Sequence, residues 1–109
     1  MKPKIPRPLS KGEAEMEFLL KLHKIPFERE YRFYLPRRWR ADFHITNTEY
    51  LIEIEGGIWV KGAHTRGAHF ESDCEKYNQA TVWGWKVLRF TPDMVHSGKA
   101  MQTILRAIK

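Results

Sequence analysis

The sequence predicts one mixed α/β domain with its elements in the order αβββαβα. Three observations carry that expectation. A capped, amphipathic segment opens the domain, three short strand-like runs separated by turn residues follow, and a helix–strand–helix pattern comes after a glycine-rich stretch. The length of 109 residues suits one compact domain and not two. The hydrophobic fraction of 42%, spread along the chain, is enough for a core without disulfides.

Ser10-Lys11-Gly12-Glu13 has the spacing of a helix capping box, and Ile25-Pro26 ends the helix it opens near His23 or Lys24. On a helical wheel centred on Phe18, Ala14, Leu19 and Leu22 form a broad apolar face. Glu15 falls inside that face, while Glu13 and Glu17 fall outside it. An acid on a buried face costs free energy unless something there needs its charge. Strands are expected over Phe27–Phe33, Trp39–Ile45 and Tyr50–Glu55, broken by Leu35-Pro36 and by the turn residues 46–49. Their short spacing makes them an antiparallel meander. Gly56–His69 holds four glycines and reads as a long loop, of a length that is functional or disordered in so small a domain. Phe70–Trp83 reads as a helix and Trp85–Thr91 as an apolar strand suited to a sheet interior. Pro92 stops that strand, and Ser97–Lys109 reads as a terminal helix with Met101, Ile104, Leu105 and Ile108 on one side.

Residues 1–9 form a basic arm interrupted by Pro3, Pro6 and Pro8, and residues 10–109 form the single domain. The arm lacks the apolar run of a signal peptide, and no stretch approaches a membrane span. Cys74 is alone, which excludes a disulfide framework and a Cys-based zinc site and favours a reducing, cytoplasmic setting without a membrane partner.

The formal charge of +6 favours a polyanionic partner, because neutralising phosphates releases condensed counterions. Its distribution points the same way. Arg37, Arg38 and Arg40 surround Trp39, and Lys61 and Arg66 lie in the glycine-rich stretch near Trp59. Basic residues interleaved with aromatics suit phosphate contact with base stacking, so Arg38, Trp39, Arg40, Trp59, Lys61 and Arg66 are the expected nucleic-acid contacts. Trp83 and Trp85 flank Gly84 at a helix-to-strand turn, where packing explains them.

Alternation on the second strand places Ala41, Phe43 and Ile45 on one face and Arg40, Asp42 and His44 on the other. On the third strand Ile52 and Ile54 share a face, and Glu53 and Glu55 share the opposite one. If the two strands pair, three carboxylates converge, which is unfavourable unless a cation or a basic neighbour compensates. Mg²⁺ or Mn²⁺ takes hard oxygen ligands and keeps several waters, so two carboxylates and a backbone carbonyl make a plausible site. A half-exposed hairpin with acids on its outer face would show the same alternation.

These residues also carry a family resemblance. The run Trp39-Arg-Ala-Asp42-Phe, then Tyr50-Leu-Ile-Glu53-Ile-Glu55-Gly-Gly, then Asp73-Cys-Glu-Lys76-Tyr-Asn, then Gly84-Trp-Lys-Val-Leu-Arg89-Phe-Thr resembles the PD-(D/E)XK nuclease superfamily. Within it, the likeness is to the small branch of very-short-patch-repair endonucleases and their phage and bacterial relatives. It spans roughly residues 13–95. The resemblance implies a restriction-endonuclease-like αβββαβ core with a mixed sheet flanked by helices, a Mg²⁺ site and hydrolysis of DNA phosphodiesters. By position it makes Asp42 and Glu53 the metal ligands, with the Ile54 carbonyl, and matches Glu15 to an acid on the first helix. The superfamily's lysine stands two positions after the second acid, and Glu55 occupies that place here. Its role passes, on this reading, to Lys76 or to a loop residue.

In the glycine-rich stretch, His64 has an intrinsic pKa suited to general acid–base work, and the resemblance supports a histidine after the acidic strand. A zinc site from His64, His69 and Asp73 has no Cys support and crosses a helix start. Asp73 is expected to partner Arg66, Lys76 or Arg89. The leading expectation is a metal-dependent endonuclease acting on DNA, using Asp42, Glu53, Glu55, Glu15 and His64 or Lys76. The alternatives are a non-catalytic nucleic-acid-binding module on the same fold and, more weakly, a protein that meets acidic partners through its basic surface. With a single domain this small, cutting both strands would suggest a homodimer.

Overall fold

The computed structural model describes residues 9–56 and 62–109, with the backbone alone for residues 62–69. The expected basic arm therefore lies, up to residue 8, outside the described residues, as do Trp59 and Lys61.

Helix α1 (Lys11–Leu22) starts at the expected capping box. The Glu13 amide donates to Ser10 Oγ at 3.2 Å and the Ser10 amide donates to Glu13 Oε1 at 2.9 Å. The face it buries differs from the wheel centred on Phe18. Gly12, Glu13, Met16 and Leu20 are buried, whereas Phe18 and Leu22 are more than 60% exposed. The reason lies at Gly12. A Cβ there would stand 2.9 Å from Ile54 Cγ2, so only glycine permits this approach of helix to sheet. Met16 and Leu20, one and two turns further on, then face the same way.

Strands β1 (Phe27–Arg32), β2 (Arg40–Ile45) and β3 (Tyr50–Ile54) form the expected antiparallel meander. Helix α2 (Gly62–Val82) then crosses over, and β4 (Lys86–Phe90) pairs with β3 in parallel. The sheet order β1-β2-β3-β4 makes β4 an edge strand rather than an interior one. Lys86 and Arg89 are exposed along it, as suits an edge. The loop expected over Gly56–His69 is shorter than that, because the α2 backbone is already helical at Gly62.

Strict alternation fails at one point. Phe27 and Phe43 pack into one core cluster, yet Tyr31 and Ala41, an even number of residues away on the same strands, belong to the other. The reversal lies between the pairs Arg29↔Phe43 and Tyr31↔Ala41, where Glu30 adopts φ 48° and Asp42 lies across from it. A left-handed residue inside a strand re-aims the side chains around it.

The larger core cluster joins Met16, Leu20, Phe43, Ile45, Ile52 and Phe90 to Val95, Met101 and Ile104. The last three come from α3 (Pro92–Ser97) and α4 (Lys99–Ala107). The single C-terminal helix expected from Ser97 is thus preceded by a short one. Thr91 caps it, accepting from the Met94 amide at 3.1 Å, Pro92 takes its first turn, and Gly98 ends it at φ 92°. Leu105, expected on the apolar side of α4, is 39% exposed.

The opposite sheet face carries a smaller cluster of Phe33, Ala41, Leu51 and Ala80, bordered by Tyr31, Tyr34, Trp39 and Trp85. There His44 stacks on Tyr31 at 4.2 Å, and its two ring nitrogens face the Glu28 carboxylate and the Thr48 carbonyl. The result is a mixed four-stranded sheet between α1, α3 and α4 on one side and α2 on the other. No helix among the described residues is long and apolar enough to cross a membrane.

Candidate active site

Backbone pairing of β2 with β3 covers Phe43↔Ile52 and His44↔Leu51. Beyond it, two carboxylates connect the strands. The Asp42 amide donates to Glu53 Oε2 at 2.9 Å, and the Ile54 amide donates to Asp42 Oδ2 at 2.7 Å. Each acid is thus bonded to the backbone of the strand opposite it. Charge-assisted bonds of this kind fix both side chains firmly.

Helices close on the pair from both sides of the sheet. From α2, Lys76 Nζ and Tyr77 Oη donate to Glu53 Oε1 at 3.1 and 2.7 Å. From α1, the carboxyl of Glu13, itself only 4% exposed, hydrogen-bonds that of Asp42. Burial, then the charge of Glu53, push the Asp42 carboxyl up to about 7, and the bond and charge of Glu13 add to this against the Ile54 amide. Burial and neighbouring acids both disfavour the charged form of the Asp42 carboxyl, and a bound cation would oppose that. Burial and the neighbouring Glu53 push the Tyr77 phenol upward as well, so it remains a donor.

Glu55, two residues after Glu53, lies beside this pair. Arg89 Nε donates to Glu55 Oε2 at 3.0 Å, which holds the guanidinium still more firmly charged, and the same group lies 4.5 Å from the Tyr77 ring centre. Arg89 and Lys76 thus pair with Glu55 and Glu53 rather than with Asp73. Glu15 does not join the carboxylates. It pairs with the exposed His96 at 3.1 Å, because two helical residues turn it about 200° away from Glu13. The acid that α1 brings to the site is Glu13, which the wheel placed outside the buried face. Its signal was the spacing Gly12, Met16, Leu20, a second stripe that buries the residue next to glycine. Tyr77 was also missed; its one signal is adjacency to Lys76.

Trp39 leads directly into β2. Tyr34 stacks beside it at 5.8 Å, and the Arg37 guanidinium lies 4.2 Å from its ring centre. Arg38 is exposed, and Arg40 pairs with Glu30 at 3.5 Å. Trp85 is a packing residue, with its indole donating to the Phe33 carbonyl at 3.3 Å. Trp83 is more than half exposed. His64 and Arg66 lie in the first turns of α2, and their side chains are outside the described residues, as is that of His69.

Among the described residues, the acidic side chains at Asp42, namely Glu13 and Glu53, offer hard oxygens. Among the described residues no group of three or more His, Cys, Asp or Glu side chains is arranged to hold an ion. The set expected here is smaller, two carboxylates and a carbonyl, which suits an ion that retains water.

No family model matches the sequence, and no curated protein matches it. Among solved structures, the fold is similar to "Homing Endonuclease I-Bth0305I Catalytic Domain". The TM-score is 0.66 and the identity 15%, covering 90% of this chain and 92% of that one. The protein thus shares its fold, over nearly its whole length, with the catalytic domain of an endonuclease.

Proposed function

We propose that the protein is a metal-dependent endonuclease that hydrolyses DNA phosphodiester bonds, of the PD-(D/E)XK type and its very-short-patch-repair-like branch. The observation that carries this reading is the convergence of Asp42, Glu53 and Glu13 where β2 and β3 part, on a fold like that of an endonuclease catalytic domain. Buried acids at this density are unfavourable alone and become favourable around a cation.

Asp42, Glu53 and the Ile54 carbonyl would hold Mg²⁺ or Mn²⁺. The residues fit such an ion: each carboxylate oxygen accepts more than one bond, so the backbone contacts leave acceptor capacity. When bound, the metal would activate water and stabilise charge on the phosphate under attack. The other residues have separable roles. Lys76 and Tyr77 orient Glu53, and Lys76 supplies the positive charge that Glu55 cannot. Glu13 helps to hold the Asp42 carboxyl in place. Arg89 neutralises Glu55, so that this acid does not repel a phosphate. His64 is the proposed general acid or base. Arg38, Trp39 and Arg40 on one flank, with Trp59, Lys61 and Arg66, would hold the DNA. Concerted cleavage of both strands would be served by a homodimer.

The test is nicking of supercoiled plasmid with Mg²⁺ or Mn²⁺ by the wild type and by Asp42→Ala. Metal-dependent nicking that the variant loses supports the assignment, and equal nicking by the two proteins refutes it. DNA retention without cleavage by either would favour the non-catalytic module.

A further inference from the structure

On the far side of the α2 turn that carries Lys76 and Tyr77, the same helix borders a groove. It encloses about 350 Å³ between Tyr34, Pro36, Arg37 and Trp39 on one wall and Glu75, Asn78, Gln79 and Val82 on the other. That volume falls at the lower end of small-molecule sites, roughly 300–1,000 Å³. The wall is preformed. Arg32 donates to the Leu35 and Arg37 carbonyls at 3.0 and 3.2 Å, and the Arg37 amide donates to the Tyr34 carbonyl at 3.1 Å. Tyr34 is braced edge-on by Trp83 at 4.7 Å and stacks with Trp39 at an interplanar angle of 25°.

The indole of Trp39 is covered by a planar cation, the Arg37 guanidinium at 4.2 Å. The ion pair of Arg37 with Glu75 is stretched to 4.0 Å between side chains that are both more than half exposed, so it is a weak tether. Arg37, Arg38 and Arg40 give this flank a positive charge that complements phosphate. The amides of Asn78 and Gln79 offer both donors and acceptors, as the edge of a nucleobase requires. Trp39 precedes Asp42 by three residues, about 10 Å of strand. A strand with one phosphate at the carboxylates therefore has a near neighbour at the groove.

We propose that this groove takes one unpaired nucleotide of the DNA substrate. Its base stacks on Trp39 in the place that Arg37 covers, its edge meets Asn78 and Gln79, and Arg37 swings out to a phosphate. The inference rests on the DNA-cleaving reading above and specifies its substrate class: DNA with a base outside the helical stack, as in a bulge, a flap or a single strand. In a continuous duplex the base is paired and stacked on both faces, and must first be extruded.

The experiment is fluorescence anisotropy of the full chain in EDTA, which prevents cleavage. The probes are a fully paired duplex, the same duplex with a one-base bulge, and one of its strands alone. The wild type is expected to bind the bulged and single-stranded probes about tenfold more tightly than the duplex, the scale of one base–aromatic stack. Trp39→Ala removes that preference and Trp39→Phe keeps most of it. Because Trp39 also borders the smaller core, Asn78→Leu serves as the variant at an exposed position. It narrows the preference while circular dichroism stays unchanged. Equal affinity of the wild type for all three probes, or a loss on Trp39→Ala shared equally by paired and bulged DNA, overturns the groove inference. If plasmid nicking that depends on Asp42 persists in that case, the nuclease reading stands without it. If no DNA is bound or cut in any form, both fall together.

Discussion

The two ends of the β2–β3 pair solve the same problem by different means. At Phe43↔Ile52 and His44↔Leu51 the pairing runs through backbone, and the side chains are free to pack. At Asp42 and Glu53 the carboxylates accept the amides, so each acid braces the strands and is also a proposed metal ligand. The first end tolerates any residue of suitable shape. At the second, removing a side chain opens the sheet, uncovers donors on α2 and deletes a proposed metal ligand together. Carboxylates arranged this way are held rigid by their own hydrogen bonds to the backbone.

The sharpest way to break the comparison is Glu53→Ala. It orphans the Asp42 amide, Lys76 and Tyr77 at once, at a buried position. The expected loss is about 3 kcal/mol in urea denaturation without metal. Nicking should fall at least about 100-fold. A variant as stable as the wild type would mean that backbone pairing extends past Phe43 without the acids.

A second test uses pH. The Asp42 carboxyl is raised from an ordinary value of 3.8 to about 7, so between those values the folded protein binds more protons than the unfolded chain. The contribution of this group to stability is therefore full below pH about 4 and is lost as pH rises through 7. Metal-free protein should lose stability from this group on going from pH 5 to pH 8, and millimolar Mn²⁺ should reduce the loss. Denaturation curves at the two pH values check it. A gain in stability over that interval from wild type relative to Asp42→Asn would contradict the assignment.

Gly12→Ala probes the contact that orients α1. The added methyl meets Ile54 Cγ2 at 2.9 Å and Pro92 at 3.5 Å, so α1 must shift away from the end of β3. The expected cost is about 1–2 kcal/mol, with a matching loss of nicking because Glu13 moves too.

How much of this was legible in the sequence divides along similar lines. The capping box, the meander and the Asp42–Glu53 pair were readable, because turn residues punctuate the strands and capping chemistry is local. The face of α1 was not. Its sequence holds two stripes, Ala14-Phe18-Leu22 and Gly12-Met16-Leu20, and the more hydrophobic one is the exposed one. Contact with Ile54 decides between them, and that is a tertiary fact. Strand β4 looked like an interior strand since Val87 and Leu88 are apolar, but among the described residues it pairs with β3 alone. The α2 start was hidden because Gly62 and Gly67 lower helix propensity where the backbone is nonetheless helical. Thr91-Pro92, read in the sequence only as the stop of β4, is in fact the cap of α3, because the Thr91 hydroxyl accepts from the Met94 amide.

The smallest predicted effect separates Glu13 from Glu15. Glu13→Ala removes a capping-box acceptor and should cost about 1 kcal/mol, while also altering the pH dependence of the metal-free protein through Asp42. Glu15→Ala removes only the exposed pair with His96, worth about 0.5 kcal/mol or less, and should leave nicking unchanged. Equal effects of the two changes would restore the wheel centred on Phe18.

The central claim is that Asp42 and Glu53 hold a divalent cation. Anomalous diffraction from crystals soaked in Mn²⁺ tests it most directly. The account predicts an anomalous peak bonded to oxygens of Asp42, Glu53 and the Ile54 carbonyl, absent in Asp42→Ala crystals. An ion bound elsewhere, with these two carboxylates still bonded only to the opposing backbone and α2 while the protein nicks DNA, would contradict it.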